Sequence, residues 1–154
     1  TLNLSDSVYD STSVAALGVA AHECGHAIQH ANNYAPLTFR SALVPVANIG
    51  SFLAWPIILI GLFINSSSSM LFIQIGILLF SAAVLFQLVT LPVEFNASRR
   101  ALVHLRTQGI LGDDELVYTR KVLAAAAMTY VASAAAIILQ LLRILLIVGG
   151  RNDD

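Results

Sequence analysis

The sequence contains little charge and almost no cysteine. Of its 154 residues, 57% are hydrophobic and 11% are charged, whereas about 25% of the residues in a soluble globular domain carry a charge. This composition excludes an ordinary soluble domain and is typical of an integral membrane protein, whose partner is the lipid bilayer. The single cysteine, Cys24, excludes a disulfide framework and a thiolate zinc cluster. The formal net charge is −1, so we expect no nucleic-acid partner.

A long run without charge predicts a pair of membrane-spanning helices. No charged residue occurs between Arg40 and Glu94. The run contains two apolar stretches, 43–64 and 70–91, and each has about the 20 residues that a helix needs to cross a bilayer. The short polar segment between them reads as a turn, so 43–91 is predicted to be a transmembrane hairpin.

A third span and the orientation follow from the rest of the chain. Residues 122–148 form another apolar stretch, interrupted only by Arg143, and are predicted to be the third transmembrane helix. Positive residues are concentrated between the second and third spans: Arg99, Arg100, Arg106, Arg120 and Lys121. Because lysine and arginine accumulate on the cytoplasmic side of membrane proteins, the segments 1–40 and 94–121 are expected to face the cytoplasm.

The N-terminal segment is predicted to be a short strand followed by a helix. Residues 1–11 alternate between polar and apolar types, as a strand and turn do. Residues 10–13 offer helix caps, and the alanine-rich sequence that follows predicts a helix to about His30. We therefore expect an all-α integral membrane protein of one domain, 1–154, with one short strand. Its expected parts are the strand and zinc-binding helix (1–40), the hairpin (43–91), a helix and loop with the third ligand (92–121) and the third transmembrane helix (122–148).

The predicted N-terminal helix carries the pattern H-E-x-x-H at His22, Glu23 and His26. Residues four apart lie on one face of a helix, one turn apart, so both imidazoles can bind the same metal ion. Glu23 lies beside them and can accept a proton from a zinc-activated water. The pattern fixes only three positions and also occurs by chance, so a polar face of a membrane-protein helix is the alternative interpretation.

A catalytic zinc ion needs a third protein ligand. His30 is one turn beyond His26, but three histidines on successive turns span about 12 Å, too far for one ion, so His30 is expected beside the site or at the surface. Glu94 is favoured because a carboxylate directly after an apolar span is costly without a cation. The alternative is an interfacial acid paired with Arg99 or Arg100. The other candidates on the same expected side are His104, Asp113, Asp114 and Glu115.

Three stretches carry a resemblance to a known family: "LNLSDSVYDSTSVAALGVAAHECGHAIQH" (2–30), "LPVEFNASRRAL" (91–102) and "VLAAAAMTYVASA" (122–134). They resemble the YugP-type bacterial membrane zinc metallopeptidases, also called neutral zinc metallopeptidases. The resemblance implies a multi-pass protein of the bacterial inner membrane, and leads us to expect that the family's N-terminal membrane helix is missing here. It implies one Zn²⁺ ion on His22, His26 and Glu94, with Glu23 as the catalytic base. Ser98 stands where similar membrane proteases have an aspartate that supports a ligand histidine.

The expected function is a membrane-bound zinc metalloendopeptidase that hydrolyses peptide bonds in a peptide or protein substrate. Residues 2–9 would pair as an edge strand with the substrate, within about 10 Å of the metal. The weak candidates for stabilising the transition state are Tyr9, Arg99, Arg100 and His104. Two alternatives are an intramembrane site-2-type protease and a non-catalytic membrane scaffold, in which His30 or His104 would close a structural metal site. The sequence is silent on oligomeric state.

Overall fold

The computed structural model describes residues 2–64 and 66–151, without the side chain of Arg151. These residues form five α-helices: α1 (Asp6–Tyr9), α2 (Val14–Ala31), α3 (Ala35–Phe63), α4 (Ser69–Thr107) and α5 (Asp113–Arg151). No strand occurs in the described ranges. The predicted all-α class is therefore confirmed.

The predicted N-terminal strand is wrong wherever the structure describes it. Residues 2–5 have no regular secondary structure, and α1 begins after Ser5, whose carbonyl accepts from the amides of Val8 and Tyr9 at 2.9 Å. A helical turn satisfies its backbone locally, whereas a strand needs a neighbouring strand, and the described part of the chain offers none. The proposed pairing of 2–9 with substrate as an edge strand is wrong for the same reason. Thr1 lies outside the described residues.

Three helices, α3, α4 and α5, are long and apolar enough to cross a membrane. The three predicted spans lie within them, apart from Ile64, which follows the end of α3. Each helix is longer than its predicted span. In particular, α4 continues without a break to Thr107, which supplies the helix predicted within 92–121. The predicted turn is short, and Ser69 at its end donates a hydrogen bond to the Gly61 carbonyl at 2.5 Å. Asn65 lies outside the described residues.

The chain divides into two compact units, and α3, α4 and α5 contribute residues to both. One unit comprises Phe39–Val89 and Ala132–Asp154. Its buried core consists of Ala54, Ile58, Ile73, Phe80, Val84, Ile144 and Val148. Large apolar side chains also point outward, as with Phe52, 79% exposed, and Phe63, 85% exposed. An outer surface of this kind is suited to hydrocarbon rather than water.

The other unit comprises Thr1–Thr38 and Thr90–Val131 and contains the H-E-x-x-H motif. The side chain of Ser13 caps α2 by accepting from the amide of Ala16 at 3.2 Å, as an N-cap serine does. The helix ends at Ala31, and Asn33 takes a left-handed conformation with φ of 48°, which asparagine tolerates. α2 thus occupies the positions where a helix was predicted. Its cytoplasmic location and the single-domain assignment stay predictions.

Candidate metal centre

Three side chains from α2 and α4 converge within this unit. His22 Nε2 lies 3.1 Å from His26 Nε2 and 3.2 Å from Glu94 Oε2, and His26 Nε2 lies 3.6 Å from the same carboxylate oxygen. The Glu94 side chain is almost fully buried, with 4% exposed, while the side chains of His22 and His26 are 17% and 22% exposed. The structure therefore brings together the three groups that the sequence nominated.

The close approach of α2 to α4 explains why they meet. Gly25 lies between His22 and His26 on α2, and a methyl group in its place would overlap the backbone carbonyl of Ala97. Ala97 is itself fully buried. Because two small residues meet here, the helix backbones touch. Glu94, almost one turn before Ala97, is thereby held opposite the two imidazoles.

The donor set fits one zinc ion. Ligand atoms that are about 2.0–2.2 Å from a tetrahedral zinc ion lie about 3.4 Å from one another, and the observed separations are 3.1, 3.2 and 3.6 Å. Two imidazoles and one carboxylate are also ligand types that zinc prefers, and three protein ligands leave one position open. Among the described residues, no second group of three histidine, cysteine or acidic side chains converges in this way.

Comparison with known proteins identifies the family. A profile described as "Putative neutral zinc metallopeptidase" matches residues 1–149. The chain belongs to this family. It is also 44% identical over 154 residues to a Bacillus subtilis (strain 168) protein named "Putative membrane protease YugP", an alignment that covers 99% of this chain and 67% of that protein. No solved structure matches. The family predicted from the three sequence stretches is confirmed, and membership implies zinc as the metal.

The candidate site continues beyond the three converging groups. Ser98 is one turn after Glu94 on α4, and its hydroxyl lies 3.1 Å from His22 Nδ1. A hydroxyl can donate or accept, so this contact holds the ring without selecting its tautomer. Ser98 therefore lies where the resemblance requires a supporting group, although its role stays a prediction.

Sequence reasoning missed the partner of the other histidine. Gln29 is fully buried, and its Oε1 lies 3.0 Å from His26 Nδ1. Its Nε2 donates to the Val93 carbonyl at 2.8 Å and to Asn96 Oδ1 at 3.0 Å. The available signal was position, since residues three apart are neighbours on a helix face. A search confined to metal-ligating residue types passes over glutamine.

The carboxylate of Glu94 also shapes the electrostatics of the site. Its hydrogen bond raises the pKa of His26 above the usual 6.5, and the contact with Gln29 and the charge of Glu23 act in the same direction. Burial opposes them, because it disfavours the charged imidazolium. The Glu94 carboxylate therefore favours the protonated form of His26, and burial opposes it.

Glu23 follows His22 directly on α2 and is partly exposed. A general base needs this combination, because it must reach water beside the metal without being a ligand itself. The neighbouring Cys24 is exposed. Glu23 is thus placed beside the cluster of His22, His26 and Glu94, as the motif predicts, and its catalytic role stays a prediction.

The weaker candidates lie elsewhere in the described part of this unit. His30 is exposed, and Tyr9, on α1, is 74% exposed. Arg99, Arg100 and His104 line a cavity of about 390 Å³, whose other lining residues are Ile28, Asn96 and Val103. That lining includes none of the three converging groups. No observed contact connects Tyr9, Arg99 or His104 to them in the described ranges, and their roles in the transition state stay untested.

Proposed function

We propose that this neutral zinc metallopeptidase is a membrane-bound endopeptidase in which His22, His26 and Glu94 bind one zinc ion and Glu23 is the general base. The observation that carries the proposal is the convergence of these three ligand groups at separations suited to zinc. Glu23 lies next to a ligand on the same helix. Family membership supports peptide hydrolysis, and the three apolar helices support a membrane location.

The proposed chemistry divides between the metal and the chain. A bound zinc ion supplies a Lewis acid for the substrate carbonyl and lowers the pKa of water to about 7. The Glu23 carboxylate accepts the proton of the attacking water and then gives it to the leaving amide nitrogen. Ser98 contacts Nδ1 of His22, and Gln29 contacts Nδ1 of His26. These contacts restrain the two imidazole rings. This assignment makes the site gluzincin-like, with a downstream glutamate as third ligand.

The proposed location is the bacterial inner membrane, with the site facing the cytoplasm. Support comes from charge, because the segment between the apolar parts of α4 and α5 is rich in arginine and lysine. Such residues collect on the cytoplasmic side. The members of this group are Arg99, Arg100, Arg106, Arg120 and Lys121.

The two alternatives receive less support from the described residues. A site-2-type protease would carry the motif in a spanning helix, but α2 is not one of the three helices long and apolar enough to cross a membrane. Its later aspartate would lie within a span, whereas Asp113 and Asp114 are exposed in the first turn of α5. A structural site would need a fourth protein ligand, and His30 and His104 are both exposed.

The test is proteolysis of a casein-type substrate by the purified full chain in detergent. We expect cleavage that a chelator abolishes and added zinc restores. Glu23→Gln should retain zinc but lose at least about 100-fold in rate, because general acid–base catalysis contributes that much or more. Asp114→Asn, which removes an exposed acid of the same unit, is the matched control and should cleave normally. Full activity of Glu23→Gln would refute the mechanism.

A further inference from the structure

We propose that Gln29 is a positioning residue that fixes both the orientation and the tautomer of His26. The inference rests on the proposed metal site and extends it to a residue that is not a ligand. Gln29 is fully buried, and both ends of its amide are engaged, with His26 on one side and α4 on the other. A buried polar side chain with every contact satisfied has one favoured arrangement.

The neighbours of Gln29 decide which end of its amide is the nitrogen. The Val93 carbonyl can only accept a hydrogen bond, so the group 2.8 Å from it must be Nε2. A second constraint agrees. The Nε–H of Arg100 can only donate, and it lies 2.7 Å from Asn96 Oδ1. Asn96 therefore presents its oxygen, which also accepts from Gln29 Nε2 at 3.0 Å.

This orientation leaves Oε1 of Gln29 facing His26 Nδ1 at 3.0 Å. Oε1 can only accept, so Nδ1 must carry hydrogen. A neutral imidazole has a single N–H, and the lone pair therefore lies on Nε2, the atom that faces His22 and Glu94. Ligand histidines commonly donate their second N–H to an oxygen, which sets the tautomer and the ring direction. Gln29 is placed to perform this task for the neutral His26 that binds a metal.

The two histidines differ in how strongly their partners fix the tautomer. The partner of His22 is the hydroxyl of Ser98, which accommodates either tautomer. The partner of His26 is held by an obligate acceptor, Val93, and through Asn96 by an obligate donor, Arg100. His26 is therefore the preorganised ligand of the pair, and the loss of Gln29 should weaken metal binding at this ring.

The experiment measures zinc Kd by chelator competition and the visible spectrum of the cobalt-substituted chain, using the full protein in detergent. For Gln29→Leu, which removes both ends of the amide, we expect a Kd raised about 10–100-fold, the usual cost of losing an outer partner of a ligand. Its cobalt bands should also shift. Gln29→Met keeps the length and packing of the side chain but has no amide oxygen for His26 Nδ1, so it should lose affinity as Gln29→Leu does.

Thr119→Val is the matched control, because it removes a buried polar group of the same unit whose hydroxyl donates to the Glu115 carbonyl at 3.0 Å. It should leave the zinc Kd and the cobalt spectrum unchanged. If Gln29→Met binds zinc as the wild type does while Gln29→Leu does not, packing of α2 on α4 explains the loss and the proposal is overturned. Wild-type Kd and cobalt spectrum in Gln29→Leu would also overturn it. A wild-type chain that binds neither metal would instead refute the proposed metal site, and this inference with it.

Discussion

The α-carbon of Gly25 packs against the backbone carbonyl of Ala97, with no space for a methyl group between them. This contact joins α2, which carries the motif, to α4. On α2 it lies between the two histidines, and on α4 it lies almost one turn from Glu94. Nothing in the local pattern H-E-x-x-H specifies it. The distances among the converging groups nevertheless depend on it, because the glutamate lies on another helix.

Gly25→Ala is expected to damage both the fold and the metal site. A methyl group at this position meets backbone rather than a flexible side chain, so α2 and α4 must separate. Overpacking of this kind costs about 1–3 kcal/mol. The melting temperature should fall and the zinc Kd should rise. The control is Gly149→Ala in α5, where the added methyl meets nothing within 4 Å. If Gly25→Ala matched this control in both measurements, the close contact would not position the site.

A pair of histidine variants distinguishes the ligand from its neighbour. His26→Ala removes one of three proposed ligands and should abolish stoichiometric zinc binding at micromolar metal. His30→Ala, one turn further on α2 and exposed, should bind zinc with unchanged Kd. Equilibrium dialysis against zinc checks both. A loss of zinc in His30→Ala, with binding retained in His26→Ala, would place the site elsewhere on the helix.

Zinc affinity should decrease as the pH falls, and the decrease should begin above pH 6.5. The hydrogen bond to Glu94 raises the pKa of His26 above 6.5, and zinc binds only the neutral imidazole, so the metal must displace a proton below the raised pKa. In the metal-free chain the same contact stabilises the fold at low pH, and that contribution is lost as the pH rises through the raised pKa. Zinc Kd measured from about pH 8 down to about pH 5 tests the direction of this pH dependence. An affinity that stays constant until well below pH 6.5 would contradict it.

The parts of this structure that depend on local pattern could be predicted. The apolar stretches at 43–64, 70–91 and 122–148 are long enough to specify spanning helices by themselves, and they lie in α3, α4 and α5 with only Ile64 beyond a helix end. The same is true of the helix that carries His22 and His26, since its spacing and composition are local properties. The strand predicted within 1–11 is wrong over the described residues 2–11, because alternation indicates a strand only where a partner strand exists.

The parts that depend on tertiary contact were harder to predict. Glu94 was nominated because a carboxylate after an apolar span needs a partner, and the family resemblance supported the choice. Gln29 was missed, because its significance lies in hydrogen bonds to Val93 and Asn96 on another helix. A glutamine in an alanine-rich helix carries no sign of such partners. The sequence alone does not specify that Gly25 and Ala97 touch.

X-ray absorption at the zinc edge of the zinc-loaded full chain tests the central claim most directly. The account predicts nitrogen and oxygen neighbours at about 2.0–2.2 Å and no sulfur at about 2.3 Å, with two imidazoles. It also predicts that Glu94→Ala fails to hold the metal. A sulfur neighbour, which would indicate Cys24, or full zinc occupancy in Glu94→Ala would contradict a site built from His22, His26 and Glu94.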